Sequence, residues 1–185
     1  MLMKKLLAVS VVLLSLYSCQ PMMERWSERR IKSKEDYILA QVKRGVVDSA
    51  GVVQLLNAYE SFADKYPANL QSVGYLYKAA DFYVSMGKPL RGIALYQKIY
   101  DNYPNSEKRA YALFVQGYVF EDKVHNYENA QLKYHQFLKE YPNHPLAKDV
   151  TLSLMNLGKT PEQMVAEFEA RQQQQDSLQQ VGSPQ

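Results

Sequence analysis

Apolar residues recur at intervals of three and four through the middle of the chain. Val53, Leu56, Tyr59, Phe62 and Ala63 form one series, Ile93, Tyr96, Ile99 and Tyr100 a second, and Ala130, Tyr134, Phe137 and Leu138 a third. That spacing puts side chains on one face of an amphipathic helix. Each run ends at a Tyr-Pro pair: Tyr66-Pro67, Tyr103-Pro104 and Tyr141-Pro142. Proline disfavours helical geometry in the residue before it, so each helix carries its own stop. Residues 73–86 and 108–122 carry Leu76, Ala79, Ala80, Tyr83 and Leu113, Gly117, Phe120 at helical spacing, which predicts a helix in each gap. Valine is scarce in the middle of the chain and no turn-punctuated alternation appears, so no sheet is predicted.

The three stops belong to a repeated phrase, Tyr-x-x-(Phe/Ile)-x-x-x-Tyr-Pro, beginning at Tyr59, Tyr96 and Tyr134. Its prolines step by 37 and 38 residues. A constant period of that length marks stacked supersecondary units, each burying its apolar face against the next. Thr160-Pro161 opens one more helix, with the threonine as N-cap and the proline in the first turn.

Leu76, Ala80, Tyr83, Gly87, Gly92, Tyr96, Ile99 and Pro104 fall on the spacing of the tetratricopeptide repeat consensus, which the chain resembles over roughly residues 36–170. The next copy, through Leu113, Gly117, Phe120, Ala130, Tyr134, Phe137 and Pro142, matches after one extra residue in the loop around His125-Asn126. Degenerate copies flank the two. The resemblance implies an all-α fold: a right-handed superhelical array of about three to four antiparallel helix hairpins, whose first helices line a concave face. In that register the concave candidates are Tyr77, Asp81 and Val84, then Tyr111, Phe114, Tyr118 and Glu121, then Lys148 and Leu152. Aromatic anchors with peripheral charges suit an extended peptide or helix of a partner protein. The alternative is that several of these tyrosines only pack between repeats.

The N-terminus reads as an address. Lys4 and Lys5 precede a nearly unbroken apolar run over residues 6–16, then Tyr17-Ser18-Cys19. This is the pattern of a secretory signal, and the run is about half the ~20 residues needed to span a bilayer. Leu16-Tyr17-Ser18-Cys19 resembles a bacterial lipobox, which implies cleavage before Cys19 and lipidation of its thiol. The alternative is an ordinary signal with an incidental cysteine. Gln20, rather than aspartate, follows; by resemblance to enterobacterial sorting this implies the outer membrane, facing the periplasm. The expected organisation is a leader over 1–18, a flexible tether over 19–34, a helical domain over 35–171 and a Gln-rich disordered tail over 172–185. The lipobox together with the phrase over 130–145 resembles the tetratricopeptide lipoprotein of the β-barrel assembly machinery (the BamD family) and the C-terminal repeats of the Tol–Pal coordinator.

Composition narrows the function further. With Lys4 and Lys5 set aside, 20 basic residues face 19 acidic ones, so charge gives no case for nucleic acid as partner. Cys19 is the one cysteine, which excludes an intrachain disulfide. The 15 tyrosines suit a thin fold whose core lies near solvent, because tyrosine buries a ring while its hydroxyl stays wet. His125, His135 and His144 pair with no second ligand at helical spacing, and no phosphate-cradling or nucleophile motif occurs. Neither metal nor cofactor nor catalysis is expected. The chain reads as a membrane-anchored scaffold that recruits other envelope proteins. The alternatives are an accessory subunit or cryptic enzyme of the envelope, and a structural spacer without a groove.

Overall fold

A computed structural model describes the backbone of residues 2–181 and the side chains of residues 21–176. Among the described residues the chain is entirely helical: α1 Leu2–Lys43, α2 Ser49–Lys65, α3 Leu70–Ser85, α4 Pro89–Asn102, α5 Lys108–Asp122, α6 Tyr127–Glu140, α7 Ala147–Asn156 and α8 Pro161–Val181. The fold is a tetratricopeptide-like series of helix hairpins. It divides into two compact units, Met1–Tyr83 and Val84–Gln185. Among the described residues no helix is long and apolar enough to cross a membrane. The Cys19 side chain and the leader's side chains lie outside the described residues, as does the end of the expected tail over 182–185.

The three Tyr-Pro stops fold into one corner repeated three times. Tyr66, Tyr103 and Tyr141 are the C-caps of α2, α4 and α6, with φ of −128°, −128° and −130°. With ψ of 60°, 63° and 52° they have left the α-helical region, which a following proline disfavours. Their N–H groups still donate to the helix, to the carbonyls of Phe62, Ile99 and Phe137 at 2.8, 3.1 and 2.8 Å. Their own carbonyls accept from the N–H three residues on, at Asn69, Ser106 and His144. The side chain at that third position then accepts a backbone N–H two residues later: Asn69 Oδ1 from Gln71, Ser106 Oγ from Lys108, and His144 Nδ1 from Leu146. One local circuit thus ends each helix and starts the next.

The turns inside the hairpins use another device. The connections after α1, α3, α5 and α7 each contain one residue in the left-handed region: Gly45, Gly87, His125 and Gly158. Only His125, in the loop with the extra residue, carries a Cβ there. Asp48 and Asn126 then cap α2 and α6 through side-chain oxygens that accept from Gly51 N–H and Asn129 N–H. Thr160 and Gln163 form a reciprocal capping box at the start of α8.

In the first unit Ile31 and Ile38 of α1 are buried, as are Leu56, Tyr59 and Phe62 of α2 and Tyr75, Leu76 and Ala79 of α3. Tyr59 stacks on Tyr75 at 5.1 Å, and Phe62 meets the same ring edge-on. Residues 21–34 are therefore not the flexible tether expected from the sequence. They continue α1, bury Ile31, and tie the helix to the α2–α3 corner, where Asn69 Nδ2 donates to Glu28 and Glu24. Ile31 and Ile38, seven residues apart, seat this largely polar helix together with the bonds of Glu24 and Glu28 to Asn69 and of Glu35 to Tyr59.

In the second unit Ala110 and Leu113 of α5, Ala130, Tyr134 and Phe137 of α6 and Val150 of α7 make one core. Full burial of side chains such as Leu113 and Phe137 contributes about 1.5–3 kcal/mol each. The stretch over 172–181, expected to be disordered, continues α8 as helix. Its glutamines and Arg171 are favourable helix formers, although α8 is exposed along its described length.

Candidate functional site

The face of α5 turned away from α6 carries the candidate site. Ala110, Leu113 and Gly117 are buried, whereas Tyr111 and Tyr118, two turns apart, remain 42% and 47% exposed. Phe114 is half-buried and packs towards Tyr134 and Phe137, 6.3 Å from each ring. Part of its ring thus serves the hairpin interior. Glu121 is likewise engaged inwards, accepting the Tyr134 hydroxyl at 2.6 Å. Burial first, and then this bond, push the Tyr134 phenol well above its ordinary value.

The exposed tyrosines are held differently. The Tyr111 ring meets His144 edge-on at 5.2 Å, and His144 is flanked by Phe137 at 5.4 Å and Tyr141 at 6.3 Å. With its Nδ1 accepting the Leu146 N–H, His144 is a corner residue set among aromatic rings. Tyr111 thereby links α5 to the start of α7, the next first helix. On α7, Lys148 and Leu152 lie one turn apart and exposed, while Val150 faces the core. Beside Tyr118, the Asp122 carboxyl is held below its ordinary range, chiefly by the Lys123 ammonium at 2.8 Å and also by the Tyr118 hydroxyl.

Tyr77 and Asp81 are one turn apart on α3 in the first unit, half-buried and exposed respectively, and each makes further polar or ring contacts. Val84 is half-buried at the end of the same helix. Of the nine candidates, Tyr111, Tyr118, Lys148 and Leu152 are exposed in the second unit, and Phe114 and Glu121 are half-buried against core residues.

Sequence reasoning missed the polar node that ties α4, α5 and α6 together. Arg109 lies over the Tyr100 ring at 4.0 Å and donates to the Tyr100 carbonyl, the Glu140 carboxylate and the Tyr141 hydroxyl. Tyr100 in turn donates to Glu140 at 2.6 Å and accepts from Gln136. No motif announces this node, because its links from Tyr100 and Arg109 to α6 and its cap span 31 to 40 residues. Among the described residues no group of three or more His, Cys, Asp or Glu side chains could hold a metal ion.

Residues 75–106 and 111–144 each match the family model of the tetratricopeptide repeat. Over these two segments the chain is similar to tetratricopeptide repeats. The first match runs from Tyr75 on α3 past the Tyr103-Pro104 corner, and the second from Tyr111 to His144. The second therefore contains the α5–α6 hairpin and the turn that leads to α7. Among curated proteins none matches this chain. The tyrosine face of α5 belongs to the second matched segment.

Proposed function

We propose that this protein is a lipid-anchored scaffold of the bacterial envelope, whose α5 and α7 faces hold an extended or helical segment of a partner protein. The observation that carries the reading is the exposure of Tyr111 and Tyr118 on a helix whose other aromatics, Phe114 and Phe120, are half-buried against the core. Tyrosine gives an anchor two rotatable bonds, a large apolar area and a hydrogen-bonding tip, so it binds at low entropic cost. Lys148 and Leu152 on α7 add one charge and one apolar contact.

The envelope half of the proposal rests on the leader and on Leu16-Tyr17-Ser18-Cys19. Lipid on Cys19 would anchor the domain at the periplasmic face of the outer membrane, each buried methylene contributing ~0.8 kcal/mol. A role in outer-membrane protein assembly or envelope maintenance follows from the likeness of lipobox and repeats to the families that work there. The protein is proposed to have no catalytic activity of its own.

Photocrosslinking from position 118 in living cells tests the binding half. Capture of one defined envelope protein, lost when Tyr111 or Leu152 is replaced by alanine, is the expected result. Capture that is indifferent to both substitutions would overturn the site. Cys19→Ser tests the anchor: the protein should leave the membrane fraction and cease to incorporate labelled palmitate. Retention of both would remove the lipid. A spacer without a groove is the competing reading, favoured by the contact of Tyr111 with His144. Alanine at Tyr111 and Tyr118 would then lower stability while leaving every captured partner in place.

A further inference from the structure

Between α1 and α2, in the first unit, lies a cavity of about 210 Å³ whose lining includes Ile31, Phe62 and Tyr66 together with Arg30, Lys34 and Lys65. Its volume exceeds the ~150 Å³ of an apolar cavity that accepts a benzene ring. One aromatic or branched aliphatic side chain therefore fits.

Two features of the lining are unsatisfied. Tyr66 is 5% exposed, yet its hydroxyl has no hydrogen-bond partner. At the same place in the later repeat, the Tyr141 hydroxyl receives Arg109. A buried hydroxyl left unpaired is costly, and an acceptor that reaches it would recover that cost. The second feature is charge. Arg30 lies over the Trp26 ring, Lys34 donates to the neutral Gln54 side chain, and Lys65 lies over the Tyr66 ring. None of the three has a carboxylate partner among the described residues, and no acidic residue lines the cavity. Three uncompensated cations around an apolar pocket with a free hydroxyl define a ligand that is apolar at its tip and negative at its edge.

We infer that this cavity docks an acidic segment of a partner protein, which inserts one apolar side chain against Ile31 and Phe62 and presents carboxylates to Arg30, Lys34 and Lys65, with Tyr66 donating to it. The site is separate from the α5 tyrosine face and does not depend on it. An anionic membrane surface offers the same sign of charge. A concave, mostly apolar pocket, open to solvent on one side, suits an inserted side chain better than a headgroup.

The test uses the full chain in neutral detergent, with 3-phenylpropionate as the smallest probe that combines ring and carboxylate. Its alcohol and amine analogues serve as controls, and a Glu-Glu-Phe-Glu-Glu peptide as the extended probe. Methyl and ring NMR signals of Ile31 and Phe62 should shift with the carboxylate at concentrations at least tenfold below those needed for the alcohol. The amine should give no shift. Arg30→Gln with Lys65→Gln should abolish that preference, and Tyr66→Phe should weaken the peptide at least threefold. Should Tyr66→Phe fail to fold, Ser61→Trp, at the exposed rim, should block both probes with the helix content retained. Equal binding of carboxylate and alcohol, shifts untouched by the charge variants, or charge-dependent binding to phosphatidylglycerol vesicles without binding to the peptide would each overturn the inference.

Discussion

Gly117 and Tyr134 meet where α5 and α6 pack: a Cβ built on Gly117 would stand 2.6 Å from Cε1 of Tyr134 and 2.7 Å from its Cδ1. The ring cannot retreat easily, because Tyr134 is fully buried and its hydroxyl is tied to Glu121. Gly117→Ala should therefore destabilise the protein by about 1–3 kcal/mol through overpacking, against which the better helix propensity of alanine returns about 1 kcal/mol. Urea unfolding would show it. Combined with Tyr134→Leu, the two changes should be non-additive by more than about 0.5 kcal/mol. An additive pair would mean that the contact does not limit the packing.

Arg109 is replaceable by lysine in charge but not in shape. A lysine cannot both lie flat on Tyr100 and donate to three acceptors in different directions. Arg109→Lys should lower stability by about 1 kcal/mol, the modest size reflecting the partial exposure of the pair with Glu140. A thermal melt unchanged by the substitution would show that the node is only decorative.

His125 occupies the left-handed region at φ 54°, where the equivalent connections use glycine. His125→Gly should relieve strain but enlarge the unfolded ensemble, for a net effect between neutral and about 1 kcal/mol stabilising. A β-branched residue cannot adopt this conformation cheaply, so His125→Val should cost about 1 kcal/mol or more. The same stability for both variants would contradict the turn assignment.

The acid limb of the stability profile should report Glu35 and Glu140. Burial alone would raise both carboxyls. For Glu35, bonds from Lys78 and Tyr59 outweigh it; for Glu140, bonds from Tyr100, Gln136 and Arg109 do so, and both are held below the ordinary value. Their contribution is present above the unfolded carboxyl range and is lost as pH falls through the lowered folded values. Glu35→Gln and Glu140→Gln should each flatten the fall in stability below about pH 4.5. Denaturant midpoints between pH 3 and 7 check this.

The alkaline limb has the opposite sign. Tyr59 and Tyr134 are pushed well up, first by burial and then by their bonds to Glu35 and Glu121. Above about pH 10 the unfolded phenols ionise while the folded ones do not, so stability is full below that pH and falls above it. Each tyrosine should add about 1.4 kcal/mol per pH unit to the slope. Tyr134→Phe should remove one such increment, at the expense of a lower plateau from the Glu121 carboxylate it leaves unpaired.

Much of this architecture was legible without coordinates. Tyr66, Tyr103 and Tyr141 announced their helix ends through the proline that follows each, and Thr160 announced the start of α8. Both signals act within a few residues. The reading failed where a helix depends on distant partners. Residues 21–34 look like a tether because their anchoring contacts, from Ile31 and from Glu24 and Glu28 to Asn69, are made to chain up to 45 residues away. Helical spacing puts Phe114 beside the exposed tyrosines but does not show that its half-buried ring also packs towards Tyr134 and Phe137.

The sequence by itself determined the helices, their period and their stops, because backbone sterics and capping are local and repeat with the residues that cause them. Only the tertiary structure decided which tyrosines are core and which are surface, that Arg109 joins three helices, and that a cationic cavity opens beside Tyr66. Those outcomes depend on which face of one helix meets another. Helical spacing defines a face without saying what will cover it.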